Sequence, residues 1–460
     1  MTLDLHDPGT LHLVGIGGAG MSGLARILVE RGHTVTGSDL RESRNTVELD
    51  AMGARITVGH DPDALGDPDA VVASSAVGAD NPELVRARER GIQVVQRAQL
   101  LAALMADDRR VLVAGTHGKT TTTSMVVVAA QAAGLDPSFS IGAQLNEVGT
   151  NAHAGDDAVF VAEADESDRS VLAYNADVAV VTNAELDHPD AYGSTDEVLE
   201  VFGEFLAQRR PGGVAILCAD DEGTRALAAR AEEPVLTYGT GPDADVRVVP
   251  EGMAGGRILI DDVEVAVLEL AVLGHHNVLN ATAALAVCHA LDMELPAAAA
   301  GLARFSGAAR RFQVIGEVGG VTVVDDYAHH PTELRATLQA ARQATTGRVL
   351  VVVQPHRYSR TRLLGPELGR AAAAADVVFV TDVYGSGETP EPGVSGRLVA
   401  EAAEAAGARV VFQPHFAELV AELAAQVEPG DCVLVTGAGD VSQVAGSLVR
   451  TLSGGGPTNA

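Results

Sequence analysis

Short apolar runs recur along the 460-residue chain, each ending in small or polar residues and leading into an Ala- and Leu-rich stretch. Examples are VVAS from Val71, VFVAEA from Val159, VAVVTNAE from Val178, RVLVVVQ from Arg348 and VVFVTDV from Val377. Continuous apolar runs between helical stretches predict strands buried on both faces of a parallel sheet. Three further runs end in glycines: LHLVGIGGAG from Leu11, VLVAGTHGKT from Val111 and VLVTGAG from Val433. The pattern predicts an α/β protein with doubly wound sheets.

The length exceeds one compact domain. Three units are expected, over 1–106, 107–307 and 308–460. In the first, a glycine turn leads to a helix over Met21–Arg31 and a strand over Thr34–Asp39. The second opens with a strand over Arg110–Ala114, and the third closes with a strand and a helix.

Charge narrows the choice of ligand. The 32 basic and 62 acidic residues give −30, which argues against nucleic acid or a membrane surface as a partner. An anionic ligand must then be held by a few local cations, helix ends or metal ions. Of the basic residues 31 are arginine, so Lys119 is the only lysine, and it lies in a glycine-rich loop. Cys218, Cys288 and Cys432 lack metal-ligand spacing and read as buried free thiols, which fits a reducing, cytoplasmic compartment. No apolar run approaches the length of a membrane span.

The strongest chemical signal is GTHGKTTTT, with Gly115, Thr116, His117, Gly118, Lys119, Thr120 and Thr121 between an apolar strand and a helix. Glycines let backbone N–H groups converge on one point, and the helix N-terminus adds positive potential. Lys119 would reach the β- and γ-phosphates of a nucleotide, and the Thr120 hydroxyl a Mg²⁺ ion. The loop is a shortened phosphate cradle, because Val113 stands where the longer pattern has glycine. In the first unit Gly15, Gly17 and Gly20 fit G-x-G-x-x-G, Gly18 opens the turn further, and Asp39 ends the next strand. Alone this suggests a dinucleotide oxidoreductase, although the motif specifies only a pyrophosphate on a helix N-terminus. That rival leaves Lys119 unused.

Two strands end in acidic groups: Glu163, Asp165, Glu166 and Asp168 after VFVA, and Glu185, Asp187 and His188 after VAVVTN. Carboxylates beside a phosphate loop suit Mg²⁺, which keeps room for phosphate oxygens. Asn277 and Asn280 share one helix face and can hydrogen-bond a purine. In the third unit Arg310, Arg311, Asp326, Tyr327, His329 and His330 surround one strand, and His356, Arg357, Tyr358 and Arg360 follow another. Clustered Arg and His in so acidic a chain suggest a local anion site.

In their order, GIGGAGMSGLA, GTHGKTTTT, EADESD, TNAELDH, HHNVLNATAA, DDYAHHPTE and QPHRYSRTR resemble the Mur ligases from Leu11 to Val441. The resemblance implies a Rossmann-like N-terminal domain, a central P-loop-type ATPase domain with a mostly parallel sheet, and a Rossmann-like C-terminal domain. It implies ATP-driven amide formation through an acyl phosphate. The histidine of GTHGKT, with DDYAHHP and QPHRYSR, points to UDP-N-acetylmuramate and L-alanine as substrates. Gly15, Gly17, Gly18, Gly20, Asp39, Ser74 and Ser75 would then hold the UDP diphosphate. Gly115–Thr121, Asn277, Asn280, Arg311 and Asp326 would bind ATP. Thr120, Glu163 and His188 would hold two Mg²⁺ ions. Tyr327, His329, His356, Arg357 and Arg360 would face the amino acid. The groups implied for catalysis are Lys119, Glu163, His188 and His329. His188, His329 and His356 stay open as the base that deprotonates the amine. Several Mur ligases place a carbamylated lysine near the second metal; a chain whose only lysine is Lys119 cannot, which turns attention to His188. A monomer or homodimer is expected, closing around its substrates.

Overall fold

A computed structural model of the chain describes residues 3–454 other than 75, 190 and 233. Its strands form three sheets, met one after another along the chain. The first holds β1 (Thr10–Val14), β2 (Thr34–Asp39), β3 (Arg55–Val58), β4 (Ala70–Ala73) and β5 (Gln93–Gln96). All pair in parallel in the order β3-β2-β1-β4-β5. Its helices are α1 (Ala19–Glu30), α2 (Arg44–Ala51), α3 (Pro82–Glu89) and α4 (Arg97–Leu104). The helix expected over Met21–Arg31 thus begins at Ala19, because Gly18 in extended conformation serves as its N-cap. The strand order reverses beside β1, so the Gly15–Gly20 turn sits at the switch point where open α/β sheets bind ligands.

The central sheet runs from β6 (Arg109–Ala114), β7 (Pro137–Leu145), β8 (Thr150–His153), β9 (Asp157–Glu163) and β10 (Val178–Val181) to β11 (Val214–Cys218) and β12 (Val235–Gly239). It continues through β13 (Val246–Pro250), β14 (Gly255–Ile260) and β15 (Val263–Glu269). The spatial order is β15-β14-β13-β12-β11-β10-β6-β9-β7-β8. Strands β6, β7 and β9–β13 are parallel, whereas β14, β15 and β8 add antiparallel edges. The antiparallel wing goes beyond a reading built on continuous runs. In VEVAVLE of β15, buried and exposed residues alternate at the C-terminal end, as on a sheet with one wet face. Helices α5 (Lys119–Ala132), α6 (Thr195–Ala207), α7 (Glu222–Ala228), α8 (His275–Ala290) and α9 (Leu295–Leu302) flank this sheet.

The third sheet comprises β16 (Gln313–Val318), β17 (Val321–Asp326), β18 (Val349–Val353), β19 (Val377–Val380), β20 (Val410–Phe412) and β21 (Cys432–Thr436). Their order is β16-β17-β21-β18-β19-β20, with only β16 antiparallel. It carries α10 (Pro331–Ala344), α11 (Tyr358–Ala372), α12 (Arg397–Ala405), α13 (Phe416–Gln426) and α14 (Ser442–Leu452). All of VLVVV in β18 is buried, and each such valine contributes roughly 1.5–3 kcal/mol relative to exposure. Cys218, Cys288 and Cys432 are free and buried, as expected.

Apolar cores are shared unevenly. One cluster joins Leu13, Leu24 and Leu28 of the first unit to Leu112, Phe160 and Phe202 of the central one. Helix α1 also packs on β7 and β8. Arg31 extends the contact, donating to Leu104 O at 2.6 Å and Asp108 at 3.2 Å. The two clusters of the third sheet draw only on its own residues.

The first unit also buries a polar knot. Glu83 is fully buried; it accepts from Ser38 Oγ at 2.5 Å, with His60 at 3.3 Å and His12 at 3.7 Å. Burial alone would raise its carboxyl, but His12, Ser38 and His60 outweigh that and hold it below the usual glutamate value. Glu83→Gln is therefore expected to destabilise the chain by roughly 1–3 kcal/mol at neutral pH, through imperfectly satisfied buried groups. Because the folded pKa is lowered, this contribution is present above the ordinary glutamate value of about 4.5 and fades as pH falls through the folded one. Denaturant midpoints of both proteins across that range check it; a pH-independent difference would sink the assignment.

Candidate active site

The backbone between β6 and α5 is held in a shape that few residues tolerate. Gly115 has φ of +129° and Gly118 φ of +79°. A Cβ on Gly115 would meet Thr182 Oγ1 at 2.1 Å, and one on Gly118 would meet Asn280 Oδ1 at 2.9 Å. The end of β10 pins the loop. His117 N donates to Asn183 Oδ1 at 2.8 Å, and Asn183 Nδ2 returns a bond to His117 O at 3.0 Å. Thr116 Oγ1 donates to Glu185 O and accepts from Glu185 N, both at 3.0 Å. Helix α5 then begins at Lys119, with its free N–H groups facing the loop.

Lys119 Nζ bonds Gly115 O at 2.7 Å, Thr116 O at 3.2 Å and both Glu166 oxygens at 2.8 and 3.0 Å. Burial opposes the ammonium, but Glu166 and Asp165 outweigh it and raise its pKa. Burial pushes the Glu166 carboxyl up to about 7, while Lys119 pulls it back and Asp165 adds to the rise. The two-oxygen contact identifies the ion pair as the resting form. Thr120 Oγ1 faces Glu163 at 3.0 and 3.1 Å, and Glu163 also accepts from Gly142 N at 2.9 Å. Hydroxyl and carboxylate oxygens side by side are a donor set suited to Mg²⁺.

His188 follows β10 with φ of +54°, its Nε2 3.7 Å from Glu166 Oε1. Burial, aided by Arg360 and Lys119 against the pull of Asp187, lowers its pKa to about 4. It is therefore a neutral imidazole with a lone pair to offer. Beside it, Arg360 of the third unit grips Asp187 of the central unit at 2.7 and 3.2 Å, both nearly fully buried. His356 Nδ1 accepts from Arg360 at 3.1 Å, and its ring stacks on Tyr384. Burial, then His329 and Arg360, lowers His356 to about 3. His329 Nδ1 donates to Tyr327 O at 3.0 Å, which leaves Nε2 3.8 Å from Asp187. His117 is raised to about 9 despite its burial, because Glu185 and Glu333 flank it.

Three adjoining cavities collect these groups. The first, about 280 Å³, is bordered by His117, Gly118, Thr121, Asn277, Asn280, Arg311 and Asp326 among others. Asp326 contributes shape more than contact, since its oxygens already accept from Phe312 N, Ala328 N and Thr337 Oγ1. Asn280 likewise accepts from Thr122 Oγ1 at 3.2 Å and backs the loop. The second, about 760 Å³, brings Lys119, Thr120, Glu163 and His188 opposite Tyr327, His329, His356, Arg357 and Arg360. The third, about 280 Å³, lies between Gly18, Gly20, Ser74 and Arg97 of the first unit and Gly142, Glu163 and Asp165 of the central one.

Gly15 and Gly17 lie in the turn itself, and Asp39 ends β2 beside it. Gly17 N donates to Asp39 Oδ2 at 2.9 Å, so the carboxylate braces the loop rather than bordering the cavity. Ser75, expected beside the diphosphate, lies outside the described residues. Among groups not singled out from the sequence, Glu333 closes a capping box on α10, a common local pattern that hides its contact with His117. Tyr384 sits in a loop without any motif.

Three family descriptions match in succession: "Mur ligase family, catalytic domain" over residues 10–109, "Mur ligase middle domain" over 113–288 and "Mur ligase, glutamate ligase domain" over 310–439. The UDP-N-acetylmuramate–L-alanine ligase of Acidothermus cellulolyticus is 51% identical over 452 residues, covering 95% of both chains. Its counterpart in Renibacterium salmoninarum is 47% identical over 459 residues, covering 98% of both. The crystal structure of UDP-N-acetylmuramate-alanine ligase from Thermotoga maritima superposes with a TM-score of 0.81 at 29% identity, covering 97% of this chain and 99% of that one. A murein peptide ligase from Psychrobacter arcticus shares the fold, with a TM-score of 0.73 at 23% identity over 98% of this chain and 100% of that one.

Removing Arg360 would leave Asp187 buried without its cation, which costs about 3–5 kcal/mol. Arg360→Ala is expected to loosen the third unit from the central one, read as faster amide hydrogen exchange over 185–192. Unchanged exchange there would show that the pair does not hold the seam.

Proposed function

The chain belongs to the Mur ligase family, and we propose that it joins L-alanine to the lactyl carboxylate of UDP-N-acetylmuramate at the expense of ATP. The products are UDP-N-acetylmuramoyl-L-alanine, ADP and phosphate, a step of peptidoglycan precursor synthesis. One observation carries the reading at the level of geometry: the phosphate loop, an oxygen-rich metal position and the Arg/His/Tyr face of the third unit border a single cavity.

ATP lies with its base in the first cavity, near Asn277 and Asn280, and its phosphates on Gly115–Thr121 and Arg311. UDP-N-acetylmuramate enters through the third cavity, with its diphosphate at Gly18, Gly20 and Ser74. An oxygen of the lactyl carboxylate attacks the γ-phosphorus, and ADP leaves. The alanine amine then attacks the acyl carbon, and phosphate departs with the electron pair. The first step brings two anions together. Lys119, moving from Glu166 to the phosphate oxygens, and the loop N–H groups offset that repulsion. Mg²⁺, when bound, would add charge neutralisation; Thr120 and Glu163 would hold one ion, and Glu163 with His188 a second. Tyr327, His329, His356, Arg357 and Arg360 surround the amino acid. With His188 committed to the second ion, His329 and His356 border the same cavity as the groups left to accept the proton of the amine.

The same reading places the enzyme in the cytoplasm, as a monomer or homodimer with units 1–106, 107–307 and 308–460. No helix among the described residues is long and apolar enough to cross a membrane.

Phosphate release with ATP and UDP-N-acetylmuramate should depend on alanine, exceeding release with serine or glycine. Turnover with D-glutamate in place of alanine would overturn the substrate assignment. Lys119→Ala is expected to lower the ligation rate about a hundredfold or more; near-normal ligation would remove the loop from the mechanism. Glu163→Ala should raise the Mg²⁺ concentration needed for half-maximal rate, and an unchanged requirement would dismiss the paired-ion arrangement.

A further inference from the structure

One cluster at the seam of the central and third units has side chains that the steps above leave without a role, although one of them belongs to the phosphate loop. His117 lies in the phosphate loop, Glu185 follows β10, and His330 precedes α10. One ligand atom from each falls within 4.8 Å of the others. Glu185 Oε2 is 3.6 Å from His117 Nε2 and 3.9 Å from His330 Nδ1, and the two rings lie 4.4 Å apart. An ion with bonds near 2.1 Å in tetrahedral geometry sets its ligands about 3.4 Å apart, so small side-chain shifts would complete the site.

The surroundings are what a metal-binding imidazole needs. His117 is 8% exposed, and its Nε2 is buried without a hydrogen-bond partner. Its Nδ1 points to Glu333 Oε1 at 3.2 Å, the carboxylate–histidine relation that orients a ligating ring. Glu185 Oε2 is fixed by Thr332 Oγ1 at 2.7 Å. His330 Nδ1 accepts a long bond of 3.3 Å from Thr332 N, which an ion would displace. The first cavity borders His117, Glu185 and Thr332, so water can serve as a further ligand when no nucleotide fills it.

We propose that His117, Glu185 and His330 bind a zinc-class divalent cation, at a place separate from the magnesium position at Thr120 and Glu163. Two imidazoles and one carboxylate favour such an ion, whereas Mg²⁺ favours oxygen ligands throughout. Because two ligands come from the central unit and one from the third, the ion would tie the units together. The proposal rests on the cluster's geometry and does not need the ligase reading.

Co²⁺ titrated into the full chain, with excess Mg²⁺ present, tests it. One Co²⁺ per chain is expected, with the visible absorption of a four- or five-coordinate ion. His330→Asn and Glu185→Gln should each weaken that binding about tenfold or more, while Glu163→Gln leaves it intact. Asparagine preserves the helix cap at 330, and glutamine keeps the shape at 185, so each variant stands as a check on the other. No Co²⁺ binding in the presence of Mg²⁺, binding that survives both substitutions, or binding lost in Glu163→Gln would each overturn the proposal.

Discussion

Everything chemical in this protein depends on how four residues leave β6. Gly115 and Gly118 hold backbone angles that side chains resist, and Thr182 and Asn280 fill the space a Cβ would need. The exchange of bonds between His117 and Asn183, and between Thr116 and Glu185, locks that shape to the next strand. Lys119, Thr120 and His117 then have fixed directions: toward Glu166, toward Glu163 and toward the third unit. In the proposed reading, a phosphate cradle, an oxygen pair for magnesium and a contact across the seam are three uses of one turn.

Around the loop, acids and bases are crowded closely enough to decide one another's charge. The chain carries −30, yet its second cavity gathers Lys119, Arg310, Arg311, Arg357 and Arg360. There these cations offset Glu163, Asp165, Asp187 and Glu333, in contrast to the acidic balance of the chain as a whole. The histidines divide by surroundings: burial and neighbouring cations lower His188 and His356, whereas Glu185 and Glu333 outweigh burial and raise His117. Residue type alone could not separate these three.

Much of this was legible in the residues. Continuous runs such as VLVVV announced buried parallel strands, and the sole lysine after two glycines marked the turn that opens α5. The pairing of Thr120 with Glu163 was implied by the family resemblance, and the two side chains do meet in the fold. Other features escaped because their signals are local or ambiguous. Strand β13 and the end of β15 alternate in burial, so a search for unbroken apolar runs passes over them. Asp39 looked like a ligand group, and its place as a brace for Gly17 emerges only from the folded turn. Glu333 reads as an ordinary helix-capping glutamate until α10 is seen against His117. Contacts between units carry no spacing in the chain, and Arg360 with Asp187 is the plainest case.

The uneven sharing of apolar cores has a thermodynamic consequence. Leu24 and Leu28 of α1 belong to the same buried cluster as Phe160 and Phe202 of the central unit, so melting either exposes the interior of both. The third unit completes its clusters from its own residues and meets the rest through polar pairs. Three sheets should therefore behave as two cooperative blocks on heating. The larger block, reaching to about residue 302, would hold the nucleotide loop, and the smaller would be able to unfold and refold without erasing it.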